Sequence, residues 1–219
     1  MARPRASDYE QKRLSILVRS ARLFAENGYG GTSTTMIAEA CGVSKALMYH
    51  YYGSKDDVLF DILDHHLKHL LDIAEAASRS SGRAEERLFA ISSALLDAYR
   101  GADAEHQVQI SSLKLLPSAQ QEVLRSLERK LVAIVSEVIA GAIPSVAKRR
   151  DVLTPLTMSL FAMLNWHFLW FREGKGLTRD AYAKMATTLI LAGAEAATSA
   201  CEGQAKSAPK RISLRPKTA

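Results

Sequence analysis

Apolar residues recur every three to four positions along almost the whole chain, and the two-residue alternation of a half-buried strand is nearly absent. The pattern predicts an all-α protein. A first helix is expected over residues 9–27, with Ile16, Leu17, Ala21 and Phe24 on one face and Gly28 as its left-handed stop. The polar break Gly30-Gly31-Thr32-Ser33 leads to a short helix over 34–41, which Gly42 ends. Ser44 is a good N-cap for a third helix through Tyr51. Ser54 caps a fourth, where Asp56 and Asp57 meet the positive end of the helix dipole and Leu59, Phe60, Leu63, Leu67 and Leu70 form the apolar face. Ser78-Arg79-Ser80-Ser81-Gly82 ends it, and further helices are predicted over 84–100, 105–116, 118–142, 147–172 and 178–201. Pro117, Pro144 and Gly174-Lys175-Gly176 punctuate them.

The boundaries that follow are a basic arm at 1–8, a three-helix unit at 9–53, a helical body at 54–202 and a basic tail at 203–219 rich in Ser, Pro and Lys, expected to be disordered. A chain of 219 residues with 47% hydrophobic residues has enough apolar surface for such a body. Its most apolar run, 156–171, carries Asn165 and His167 and is short for a membrane span, so it is read as a buried helix. Two distant cysteines, Cys41 and Cys201, give no disulfide framework and point to the cytoplasm. The net charge of +6 is concentrated at the ends: +2 over residues 1–57, +5 over 203–219 and −1 between them. That placement suits a chain that meets a polyanion at its ends, and equally suits a solubility tail.

The segment from Thr34 to Lys55 carries the most chemistry. Two short helices that cross closely need a small residue at the contact, which Ala38 supplies. They also need a turn residue tolerant of positive φ, which Gly42 supplies. Ile37, Val43 and Met48 are spaced to fill the wedge between them. Such a pair presents its second helix as a rod for the major groove. Lys45, Ala46, Leu47 and His50 fall on that helix's outward face. Lys45 is placed to reach guanine, and Ala46 or Leu47 a thymine methyl. An exposed Leu47 makes little sense against water and good sense against a groove. Ser44 either caps the helix or touches phosphate. Thr34 and Thr35 begin a helix whose hydroxyl and N–H groups can hold a phosphate. Arg3 and Arg5 either enter the minor groove or stay idle.

With Phe24, Gly28, Tyr29 and Thr32 ahead of the turn, and Ile37-Ala38, Ala40, Gly42-Val43-Ser44, Tyr49, Tyr51-Tyr52, Lys55 and Leu59 in order, residues 14–63 resemble the DNA-reading unit of the tetracycline-repressor (TetR) family. Ala46 departs from the glycine frequent there. The resemblance implies a helix-turn-helix domain followed by a ligand-binding and dimerisation domain. It implies phosphate contacts at Tyr49, Tyr51 and Lys55, which set register without reading bases.

The body resembles the family more loosely. Residues 160–174, with both tryptophans, look like the penultimate helix of a subgroup that regulates fatty-acid, steroid and aromatic-acid breakdown, several members of which sense acyl-CoA thioesters. The resemblance implies a homodimer joined by the last two helices, the final one offering Ala183, Ala186, Ala192, Gly193, Ala196 and Ala197 for close approach. It implies a small-molecule effector, for which Trp166, Phe168, Trp170, Tyr99 and Met163 are candidate walls and Asn165 and His167 candidate polar contacts.

The expected function is a repressor that binds a palindromic double-stranded operator and leaves it when an apolar or amphipathic effector, an acyl-CoA or an aromatic acid, enters the body. A ligand-independent or architectural DNA-binding protein with a closed body is the alternative, and a helical enzyme is a weaker one. No Gly-rich phosphate loop, nucleophile elbow or paired-carboxylate motif appears, and no cofactor or membrane partner is expected. Asp61, His65, His66 and His69 include an i, i+4, i+8 row that suits a metal, but histidines on so polar a helix read as solvated.

Overall fold

The first apolar stripe, Ile16, Leu17, Ala21 and Phe24, is buried in α1 (Arg3–Gly31). In the computed structural model, which describes residues 3–205, this helix starts at Arg3 rather than at Tyr9, so the backbone expected to form an arm is helical from residue 3. The Arg3 and Arg5 side chains, and the basic residues from Lys206 onward, lie outside what the structure describes. Gly28, at φ 73° and ψ 158°, kinks the helix where a side chain would be strained. Thr32 closes the kink by donating its hydroxyl to the carbonyls of Leu23 at 3.1 Å and Gly28 at 2.9 Å.

Helices α2 (Thr34–Cys41) and α3 (Lys45–Tyr51) follow the sequence expectation residue for residue. Ser33 caps α2 by accepting from the Met36 N–H, a role the sequence reading had not assigned. Ser44 caps α3 by accepting from the Leu47 N–H at 3.1 Å, so of its two candidate roles the cap is the one formed. Gly42 sits at φ 63°, ψ 35°, where its N–H and that of Val43 return to the Glu39 and Ala38 carbonyls. Ile37, Ala38 and Met48 are buried at the crossing.

Helix α4 (Lys55–Ser78) is the axis of the molecule. Ser54 caps it, and it buries Val58, Leu59, Ile62, Leu63, His66, Leu67, Leu70, Leu71 and Ala74. Fully burying a leucine contributes about 1.5–3 kcal/mol, so this face alone anchors the body. Around it stand α5 (Ala84–Ala98), α6 (Asp103–Ser112) with a 3₁₀ turn at Leu113–Leu115, and α7 (Ser118–Ala142). Outside these lie α8 (Arg150–Asn165), α9 (His167–Trp170) and α10 (Arg179–Ala205). α4 packs on α5 and α7, α5 on α7 and α10, and α8 on α7 and α10. α6 lies between α1 and α4, and Gln107 donates to the Ala25 carbonyl at 3.3 Å.

The helix expected over 147–172 begins at Arg150 and is cut at Trp166, whose φ of −89° and ψ of 0° leave the helical region. The cause is distant in sequence. The Asn165 carbonyl is hydrogen-bonded to His106 Nε2 at 3.0 Å, and its side-chain oxygen accepts from the Tyr99 hydroxyl at 2.8 Å. By length and composition residues 150–170 would cross a membrane. Here Leu156, Leu160, Phe161 and Leu164 are buried, but Trp166, Leu169 and Trp170 are half exposed, so part of the run expected to form a buried helix lies at the surface.

Candidate nucleic-acid interface and effector cavity

Because Met48 turns inward on α3, Lys45, Ala46, Leu47, Tyr49 and His50 turn outward and are exposed. Leu47 shows 38% of its surface and Tyr49 53%, an apolar and aromatic face with no cover of its own. Thr34 and Thr35 stand at the start of α2, and the Thr34 hydroxyl lies 3.4 Å from that of Tyr49. These side chains form one continuous surface whose hydroxyls suit phosphate oxygens and whose α3 face suits a groove.

Two residues expected to touch phosphate are engaged within the domain. The Lys55 ammonium donates to the carbonyls of Tyr29 at 2.7 Å and Thr32 at 2.9 Å and sits 4.2 Å over the Tyr29 ring. Two of its three N–H groups thus serve carbonyls at the C-terminal end of α1, so Lys55 works as a clamp on the domain. The Tyr51 ring stacks on Tyr9 at 4.6 Å, which fixes the C-terminal end of α3 against α1.

The three-helix head is fastened to α4 by a charged cluster that sequence reasoning missed. Asp61 accepts from Arg13 Nε at 2.9 Å, from the Arg13 terminal nitrogen, and from the Tyr52 hydroxyl at 2.6 Å. Burial, then the hydrogen bond to the Asp61 carboxylate, push the Tyr52 phenol above its ordinary range. Burial opposes the charge on Arg13, but Asp61 outweighs it and holds the guanidinium firmly protonated. Tyr29 donates to Asp56 one turn earlier on α4. The only hint in the sequence was Asp61 itself, a carboxylate beside an apolar stripe.

That use of Asp61 also bears on the histidine cluster. His66 is buried, whereas His65 and His69 are exposed. Among the described residues no group of three or more metal-capable side chains is assembled.

Beyond the head, α4, α6, α7 and α8, with Tyr99 at the end of α5, line an open cavity of about 520 Å³. Of the residues expected to line an effector site, Tyr99 and Asn165 do so. Met163 does not, and neither do Trp166, His167, Phe168 and Trp170, which the break at Trp166 turns away. His167 is buried against Phe171 and Tyr182, Phe168 packs edge-on to His106, and Trp166 and Trp170 face outward. The walls are Leu67 and Leu70 of α4, Leu131 and Val132 of α7, and Met158 and Phe161 of α8. Exposed Arg125 and Arg129, one turn apart on α7, stand at the rim. Their partners, Gln121 and Glu122, are exposed or half-exposed, and such surface pairs are worth only about 0–1 kcal/mol. The i, i+4 arginines were a readable signal that the sequence reading passed over.

Tyr99 and His106 also line the cavity, and the His66 ring lies 6.1 Å from that of His106. Burial lowers the His106 pKa, a shift partly offset by the Asn165 carbonyl and Asp103. Burial, then the neighbouring histidines, bring His66 down to about 3. Burial alone raises the Tyr99 phenol. At neutral pH all three are uncharged.

A helix-turn-helix head riding on a helical body with a cavity between its helices is the architecture of a one-component transcriptional regulator. Residues 16–62 match the family model for bacterial regulatory proteins of the tetR family, and residues 81–194 match that for the tetracyclin repressor-like C-terminal domain. The chain belongs to the TetR family of transcriptional regulators. It is 28% identical over 200 residues to the HTH-type transcriptional repressor KstR2 of Rhodococcus jostii, covering 88% of this chain and 97% of that protein. A TetR-family regulator from Bordetella parapertussis superposes with a TM-score of 0.77 at 33% identity, over 82% of this chain and 93% of that one. AibR, solved in complex with isovaleryl coenzyme A and operator DNA, shares the fold with a TM-score of 0.71 at 24% identity, over 82% and 98% of the two chains.

Proposed function

We propose that this regulator represses transcription as a cytoplasmic homodimer bound to a two-fold symmetric operator, and that an amphipathic effector with an anionic head, such as an acyl-CoA, releases it. The observation that carries the reading is that one helix serves both ends. α4 is tied to the head through Lys55, Asp56 and Asp61, and, starting less than two turns beyond Asp61, its Leu67 and Leu70 wall the cavity. A ligand that fits only one tilt of α4 changes where the head sits. The shift requires unequal affinity for the two states, and about 3 kcal/mol of it lowers operator affinity roughly a hundredfold.

Two further features support the reading. Trp166 at the break between α8 and α9, Leu169 and Trp170 on α9, and Met185 and Leu189 on α10 are exposed apolar side chains suited to a second copy. A recognition helix of seven residues reads few base pairs, so useful specificity needs two heads. Arg125 and Arg129 at the rim suit phosphate or carboxylate, and the apolar walls suit an acyl chain or ring.

The test is to select bound DNA from a random pool, measure the mass of the complex by light scattering, and titrate CoA thioesters and free aromatic acids into it. A symmetric site, two chains per site and release by one compound class are expected. Tight operator binding that no compound disturbs would instead identify a ligand-independent regulator, and the absence of any selected site would overturn the reading altogether.

A further inference from the structure

The segment 166–170 is broken against its own sequence. It holds neither glycine nor proline, Gly174 is the first glycine after it, and its spacing predicts one helix through to residue 172. Its inward face agrees with that prediction. Leu160, Leu164, His167 and Phe171 are buried at steps of four, three and four, so helical register crosses the break. The hydrogen bonds do not cross it. In a continuous helix the Met163 carbonyl accepts from the His167 N–H, and the Asn165 carbonyl from the Leu169 N–H. Here the Tyr182 hydroxyl of α10 donates to the Met163 carbonyl at 3.0 Å. His106 of α6 takes the Asn165 carbonyl at 3.0 Å, and the Leu169 N–H turns instead to the Trp166 carbonyl at 3.2 Å. Tyr99, at the end of α5, holds the Asn165 side chain at 2.8 Å. The Trp166 N–H still reaches the Ala162 carbonyl, and the Phe171 N–H reaches that of His167, so only the links between them are diverted. Local sequence and tertiary bonds thus pull this segment in opposite directions.

We infer that the break at Trp166 is a reversible joint: Tyr99, His106 and Tyr182 hold it bent, and when they let go α8 runs on through residue 170 and swings the surface on which two copies pair. Because register is kept across the break, closure changes the direction of the axis and not which side chains face inward. Trp166, Leu169 and Trp170 ride on the moving part, so what concerns pairing rests on the homodimer reading above. The three holding residues are positioning residues. They come from α5, α6 and α10, and none belongs to α4. Tyr99, His106 and Asn165 also line the cavity. The joint therefore stands between the cavity and the surface offered to a second copy, on a path separate from the one that α4 makes to the head.

The test is amide hydrogen exchange of the full chain, read by mass spectrometry on peptides that cover residues 163–171. Tyr182→Phe deletes one hydroxyl and no bulk, and His106→Leu deletes the ring N–H. Loss of a merely structural bond loosens the segment and speeds exchange. Release of a joint frees a carbonyl for the helix and slows it. Tyr182→Phe is expected to slow exchange over residues 166–170 by about two- to tenfold, the net worth of one backbone hydrogen bond, and adding His106→Leu to slow it further. Should the double variant fail to fold by circular dichroism, Tyr182→Phe with Tyr99→Phe takes its place. Unchanged or faster exchange overturns the joint. Trp166 and Trp170 are the only tryptophans in the chain, so acrylamide quenching of fluorescence reports on this element alone. In the slowed variants quenching should change, and the dimer dissociation constant from sedimentation should move by about tenfold or more. Slowed exchange with quenching or dimer affinity unchanged overturns the link to pairing. A wild-type chain that sediments as a monomer overturns the homodimer reading and that link together, while exchange still decides the joint.

Discussion

The head and the body of this regulator solve opposite problems. The head must show its chemistry to a partner outside itself, so it turns Lys45, Leu47, Tyr49 and His50 out from a scaffold fixed within some twenty residues of chain. The body must hide its chemistry, so it collects a cavity from four helices and the end of a fifth, spread between residues 67 and 165. Local rules therefore govern one region and tertiary contacts the other. A substitution in the head should change what is recognised, whereas one in the body should change whether recognition responds to anything.

The sharpest way to break that contrast is at the joint. Asp61→Ala removes the acceptor shared by Arg13 and Tyr52 and strands a partly buried guanidinium. Unfolding in urea should show a loss of about 2–4 kcal/mol, with operator release by effector weakened. A loss of stability with coupling intact would mean that head and body communicate elsewhere. Next in size is Lys55→Met, which should cost the head about 1.5–3 kcal/mol, because its ammonium satisfies two carbonyls. The salt dependence of DNA binding should stay unchanged; a slope reduced by about one charge would return Lys55 to the phosphate contacts.

Lys45→Ala should lower affinity for the selected site by about 1–3 kcal/mol and relax the preference at one base pair, with effector binding untouched. An unaltered selected site would remove Lys45 from the base contacts. In the body, His66 is held near pKa 3 by burial, against about 6.5 in an unfolded chain. Below pH 6.5 the unfolded state takes up a proton that the folded state refuses. Stability is therefore full above that pH and falls by up to about 1.4 kcal/mol per pH unit toward pH 3. Melting curves of wild type and His66→Leu should diverge in that direction, the variant being flatter. The smallest effect expected is Tyr49→Phe, which removes one exposed hydroxyl beside Thr34 and should weaken binding to all sequences alike by about 0.5–1.5 kcal/mol in a gel-shift titration.

How much of this was legible in the sequence follows the same division. Gly42 and Ser54 each act on neighbours within four residues, and each was legible from its place at a helix end. The break at Trp166 was not legible, because the groups that draw Asn165 aside, Tyr99 and His106, lie about sixty residues away. Once the break is missed, the aromatics of 166–170 look like cavity walls, though they pack elsewhere or face outward. The internal partners of Lys55 were not legible for a related reason. A matching position in a motif gives the side chain but not its hydrogen bonds, and those run to the Tyr29 and Thr32 carbonyls at the end of α1.

Helix α6 places neighbouring residues on different tasks: His106 faces the cavity, and Gln107 grips the Ala25 carbonyl of α1. Each residue of an α-helix advances the face by about 100°. Inserting a single residue early in α6 would rotate the rest of the helix by that angle and bring Glu105 round to where the imidazole stands. A carboxylate would then face the Asn165 carbonyl, acceptor against acceptor. The ten residues of α6 can therefore vary in kind far more easily than in number. Changes in length should be absorbed at the turn around Gly101, where a positive φ of 76° already separates α5 from α6.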